Sequence, residues 1–160
     1  MNLNAQKLTD SISKPTQFNC SITKSRQKLN EKNIVISPVL YLRANNEKYV
    51  YAIMQPCKIG EDIIMYIKIP GENICVKKGE ILEVQYVNGE INNYKNDFSV
   101  NCNGIIIKKF NRKEIKKITE NNISIIKIYA YEKNYEFLLT STQKYNISNQ
   151  IYCLLKDKSL

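Results

Sequence analysis

The sequence contains no histidine. That absence removes the Ser-His and Cys-His nucleophilic pairs, histidine-bearing zinc sites and any imidazole switch near neutral pH. Glycine occurs five times and never as GxGxxG or GxxxxGK, so no glycine-rich loop is available to cradle a nucleotide phosphate. Arginine is scarce too, with only Arg26, Arg43 and Arg112 against 21 lysines. A surface built to read phosphates draws on the planar, bidentate guanidinium, so the net charge of +9 is a weaker sign of nucleic-acid binding than its size suggests. No window reaches the length of a membrane span, and the opening stretch MNLNAQKLTDSISKPTQFNC lacks the apolar segment of a signal peptide. A cytoplasmic protein is expected. The five cysteines, Cys20, Cys57, Cys75, Cys102 and Cys153, form no CxxC pair and favour neither a metal site nor any cofactor. Scattered among apolar strands, they read as reduced, buried small hydrophobes in a reducing compartment.

What is present is an ordinary globular composition, 43% apolar and 24% charged over 160 residues. One domain of this length buries roughly two thirds of its unfolded surface without help. Ile, Asn and Lys number 24, 20 and 21, the pattern of an AT-rich coding sequence, so drift can supply much of the lysine. The positive excess is uneven: it is +6 over residues 1–60, −1 over 61–110 and +4 over 111–160.

Residues 1–13 are polar and aperiodic, a tail before a single domain over 14–156. From Gln17 to Lys24 apolar and polar residues alternate at the period of a half-buried strand, and the basic run Ser25 to Asn33 reads as a loop. Ile34 to Leu42 is a strand that is either an edge or broken at Pro38, which cannot donate to a ladder. Asn45-Asn46 turns it into a hairpin with Tyr49 to Met54. Asp62 to Ile69 puts Ile63, Met65, Ile67 and Ile69 on one face before Pro70-Gly71. Strand Ile81 to Val87 ends in the hairpin signal Asn88-Gly89, and strands follow over Phe98 to Cys102 and Gly104 to Phe110. Asn111 then caps a short helix, with Glu114 reaching back and Ile115 and Ile118 as its apolar stripe. Ile123 to Tyr131 and Tyr135 to Leu139 form a hairpin around Lys133-Asn134, and Ile147, Ile151 and Leu154 share one side of a final helix. The class expected is α+β and predominantly β. It is an antiparallel, sandwich-like or barrel-like sheet of about eight or nine strands, with a short helix near 112–121 and a C-terminal helix.

The stretches Lys77 to Val84, Val87 to Ile91, Phe110 to Ile118 and Asn122 to Tyr129 resemble a group of uncharacterised proteins of Bacteroidetes-type bacteria. Members of that group carry a short helix before the penultimate strand, usually with Arg in place of Lys127. The resemblance implies a β-rich bacterial fold and carries over no catalytic residue.

The densest functional feature is the junction formed by Lys108, Lys109, Arg112, Lys113, Lys116 and Lys117, six bases against the single acid Glu114. Backbone N–H groups at a helix start favour an anion, so a phosphate fits there; the same residues also suit a solvated helix face. Tyr49, Tyr51, Tyr129 and Tyr131 are candidates for base stacking, or for packing across strands. Glu61, Asp62 and Glu83 offer carboxylates, but nothing in the sequence marks a catalytic pair. Three functions follow. The first is a non-catalytic interaction module that recognises a protein partner through a sheet edge or basic face. The second is a sequence-tolerant nucleic-acid binder using the basic junction. The third is a histidine-free enzyme, whose sign would be a thiol of lowered pKa.

Overall fold

Ten strands and two helices lie between residues 20 and 158, the part of the chain that the computed structural model describes. Strands β1 (Thr23–Leu29), β2 (Lys32–Ile36), β3 (Leu40–Arg43), β4 (Tyr51–Ile59), β5 (Asp62–Lys68) and β8 (Ile105–Lys109) form one antiparallel sheet. It is ordered β1-β2-β4-β5-β8, with β3 also paired to β4. Strands β6 (Gly79–Tyr86), β7 (Ile91–Asn96), β9 (Ile123–Tyr129) and β10 (Asn134–Leu138) form a second, ordered β10-β9-β6-β7. Helix α1 (Arg112–Glu120) links β8 to β9, and α2 (Ser141–Lys156) follows β10. The sheets meet at two seams, a bridge between Ala44 and Phe137 and a bond from the Asp97 N–H to the Ile107 carbonyl, without closing into a barrel. The sandwich-like α+β class therefore holds.

Alternation builds the core. Ile63, Met65, Ile67 and Ile69 all turn inward from β5 and its end, and Met54 joins them from β4. They pack in one cluster with Leu82 and Val84 of β6 and Ile126 and Ile128 of β9. Each such aliphatic side chain contributes about 1.5–3 kcal/mol when fully buried. The helices attach through the stripes that their sequences display. Asn111 accepts the Glu114 N–H at 2.9 Å while the Glu114 carboxylate accepts the Asn111 N–H at 2.8 Å, a complete capping box. Ile118 below it is fully buried, and so are Ile147, Ile151 and Leu154 of α2. Helix α2 packs on β4 and β5 of one sheet and β9 of the other, and its Ser148 hydroxyl donates to the Ile118 carbonyl at 3.1 Å.

Pro38 does break its strand. The halves β2 and β3 lie along the same side of β4, Ile36 opposite Cys57 and Leu40 opposite Met54. Opposite the gap sits Pro56, whose carbonyl accepts both the N–H (3.1 Å) and the hydroxyl (2.8 Å) of Ser37. A strand residue aims its N–H and C=O to the same side, so the donor Pro56 lacks falls where no ladder partner stands.

Four expectations are corrected. Ser25 to Asn33 is not a loop but most of the β1–β2 hairpin, turned by Asn30 and Glu31, both left-handed at φ 49° and 65° as a tight hairpin turn requires. Its strand went unread because no face of β1 is buried, so no apolar alternation marks it. Of the strand expected over Gln17 to Lys24, residues 17–19 lie outside the described residues, and regular pairing starts only at Thr23. Phe98 to Cys102 forms a single bridge, Val76 to Asn101, rather than a strand. There the Asn101 side chain takes the backbone's partners, donating to the Ser99 and Ile105 carbonyls and accepting from the N–H groups of Asn103 and Ile105. Finally, four cysteines are bonded, Cys20 to Cys153 and Cys75 to Cys102, leaving Cys57 free. The reducing compartment rested on free thiols and loses that basis.

Candidate interaction surface

The basic junction at 108–117 folds into a largely self-neutralised structure. Lys108 is buried at 8% exposure, its Nζ 3.2 Å from Glu114 Oε1 and within 6 Å of the ring centres of Tyr94 and Phe110. Lys109 meets Asp62 at 3.0 Å, and its backbone N–H donates to Asp97 at 2.9 Å. Lys117 meets Glu90 at 2.6 Å, donates to the Asn92 side chain at 3.1 Å and lies over the Tyr86 ring. Lys116 reaches Glu120 at 3.9 Å across an exposed helix turn. Arg112 and Lys113 alone make no ion pair among the described residues. The helix N-terminus, the place a phosphate would occupy if the junction bound one, holds the Glu114 carboxylate in the capping box. The depression beside it, about 400 Å³, is lined by Asp97 and Glu114 as well as by Lys108 and Lys109. An incoming anion would meet two carboxylates there.

Strand β1 is the opposite case. It lies at the end of its sheet, hydrogen-bonded to β2 on one side and to no strand on the other among the described residues. Lys24 faces Val35 and Lys28 faces Asn33, so three residues of β1 bulge over one of β2. At this bulge Lys24, Arg26 and Lys28 rim an open depression of about 510 Å³ with Ser25 and Asn33 and without a carboxylate. All three cations are exposed, and none makes an ion pair among the described residues. Sequence reasoning passed over this surface, although the +6 excess of residues 1–60 and the alternation Lys24, Arg26, Lys28 were available as signals.

The other candidates separate. Tyr49 does not share a strand with Tyr51: it sits in the turn before β4 at φ 64°, with its ring exposed beside Tyr41, Arg43 and Tyr51. Tyr129 is engaged, donating to Glu83 at 2.8 Å, while Tyr131 is exposed. Glu83 also accepts from Gln85 at 3.0 Å and faces Lys127 at 3.8 Å. These hydrogen bonds, then the lysine, hold its carboxyl below the usual value and keep it ionised. Burial pushes the Cys57 thiol up to about 11, the reverse of an activated nucleophile. A further depression of about 310 Å³ is lined in part by Lys58, whose ammonium donates to the Asp157 carbonyl at 2.8 Å and so serves the C-terminus of α2. No helix among the described residues is long and apolar enough to cross a membrane.

No family model matches the chain, and comparison with curated proteins and with solved structures returns no match.

Proposed function

We propose that the protein is a non-catalytic interaction module that recognises a protein partner along the open edge of β1. The observation that carries this reading is the conjunction on one strand, among the described residues, of an unpaired edge and three cations without acids. An added strand gains affinity from main-chain hydrogen bonds and selectivity from side-chain contacts, and β1 offers both. The bonded cysteines suit an oxidising compartment, where partner proteins are at hand and intracellular nucleic acid is not. The second reading, phosphate binding at the 108–117 junction, keeps only Arg112 and Lys113 as uncommitted cations.

Panning a display library of random peptides against the folded protein tests the proposal. Selected peptides are expected to slow amide exchange in β1 and β2. Peptides that protect other segments would overturn the β1 site, and an absence of binders combined with tight oligonucleotide binding that Arg112→Glu with Lys113→Glu abolishes would replace the proposal with the second reading.

A further inference from the structure

We infer that the segment taken up by β1 is an acidic extended chain, one that places carboxylates against Lys24, Arg26 and Lys28; this rests on the edge-binding reading above. The first ground is charge. At the 108–117 junction the folded chain brings carboxylates to four of the six bases, even to the buried Lys108, but at β1 it brings none among the described residues. The second is the exclusion of other occupants. A second copy of this chain, pairing edge to edge, would set Lys and Arg against Lys and Arg, and like charges directly opposite are destabilising. Residues 1–19 carry Lys7 and Lys14 against Asp10, so the chain's own leading sequence is not acidic either.

Lysines and a bulge are also how edge strands avoid indiscriminate pairing. Such a guard has a sign: what repels a basic or identical strand attracts an acidic one, so one set of charges supplies both the rejection and the selection. Leu29, half exposed at the end of β1, adds a requirement. The partner segment should carry an apolar residue next to its acidic run, where Leu29 would otherwise face water.

The experiment is fluorescence anisotropy of labelled strand-forming peptides of about a dozen residues, identical except that alternate positions are Glu, Gln or Lys. The full chain is used with disulfides intact, at low and at physiological salt, and amide exchange is followed in parallel. The Glu peptide is expected to bind about tenfold or more tighter than the Gln peptide, to weaken with salt and to protect the β1 amides. The Lys24→Glu, Arg26→Glu, Lys28→Glu triple variant should lose the Glu peptide and accept the Lys peptide. The peptide series on the unmodified protein stands alone if that variant misfolds. Equal affinity for the Glu and Gln peptides, with β1 protected, would overturn the acidic preference and leave edge binding in place. No protection of β1 by any peptide would overturn both. A single-stranded oligonucleotide that binds more tightly than the Glu peptide and protects β1 would replace the peptide with a polyanion.

Discussion

Residues 108–117 place six bases around one acid, yet Lys108, Lys109, Lys116 and Lys117 all find carboxylates once folded, two of them on Asp62 and Glu90 far away in sequence. Residues 24–28 hold three bases and find none among the described residues. The stretch richer in positive charge is thus the better compensated, and the shorter one keeps its field. Topology makes the difference. The end of β8 lies beside β5, and α1 lies near the β6–β7 turn, so carboxylates from other elements converge on the junction. Among the described residues strand β1 has only β2 beside it. Charge density along a chain reports what a surface could present, whereas the position of its strand in the sheet decides what it does present.

The comparison is broken most severely by releasing β1. Replacing Cys20 and Cys153 by Ser removes a bond with a sequence separation of 133, just ahead of β1. Urea unfolding should then show a loss of about 2–4 kcal/mol, with amide exchange in β1 rising more than in α1. Lys108→Ala comes next, because it leaves Glu114 and two aromatic rings facing a void. A loss of about 2 kcal/mol is expected, against less than about 0.5 kcal/mol for the exposed Lys24→Ala, whose side chain has no ion-pair partner among the described residues. Equal losses at the two positions would erase the contrast.

Another paired lysine, Lys127, sharpens the comparison through pH. Its partner Glu83 titrates below the ordinary value of 4.5, so its contribution to stability is complete above that value and fades as pH falls through the lower folded one. Glu83→Gln should flatten the acid limb of the stability profile and cost about 1 kcal/mol at neutral pH, both read by chemical unfolding across pH. The smallest effect belongs to Arg112→Gln with Lys113→Gln. Stability should stay within about 0.5 kcal/mol of the parent in thermal unfolding.

Legibility followed the range of the signal. The Asn88-Gly89 turn, closed by the Gly89 N–H on the Tyr86 carbonyl at 2.9 Å with Gly89 at φ 88°, was readable because two adjacent residues encode it. The Asn111–Glu114 capping box, the inward face of β5 and the stripe Ile147, Ile151, Leu154 were readable for the same reason: spacings of two to four residues carry them. The disulfides were not, since nothing near Cys20 points to Cys153. Nor was the neutralisation of Lys109 by Asp62, which depends on β8 lying beside β5. Strand β1 escaped notice because hydrophobic alternation detects burial, and an edge strand exposed on both faces has none. The left-handed residue before β4 was sought at Asn45 or Asn46 and found at Tyr49, which local preference would not nominate.

The most direct test of the central claim, that the free positive field lies on β1 and not at the junction, is hydrogen exchange resolved by segment, with and without an acidic strand-forming peptide. Protection confined to residues 23–36, with 105–120 unchanged, is the result this account predicts. Protection of 105–120 with β1 unaffected would contradict it.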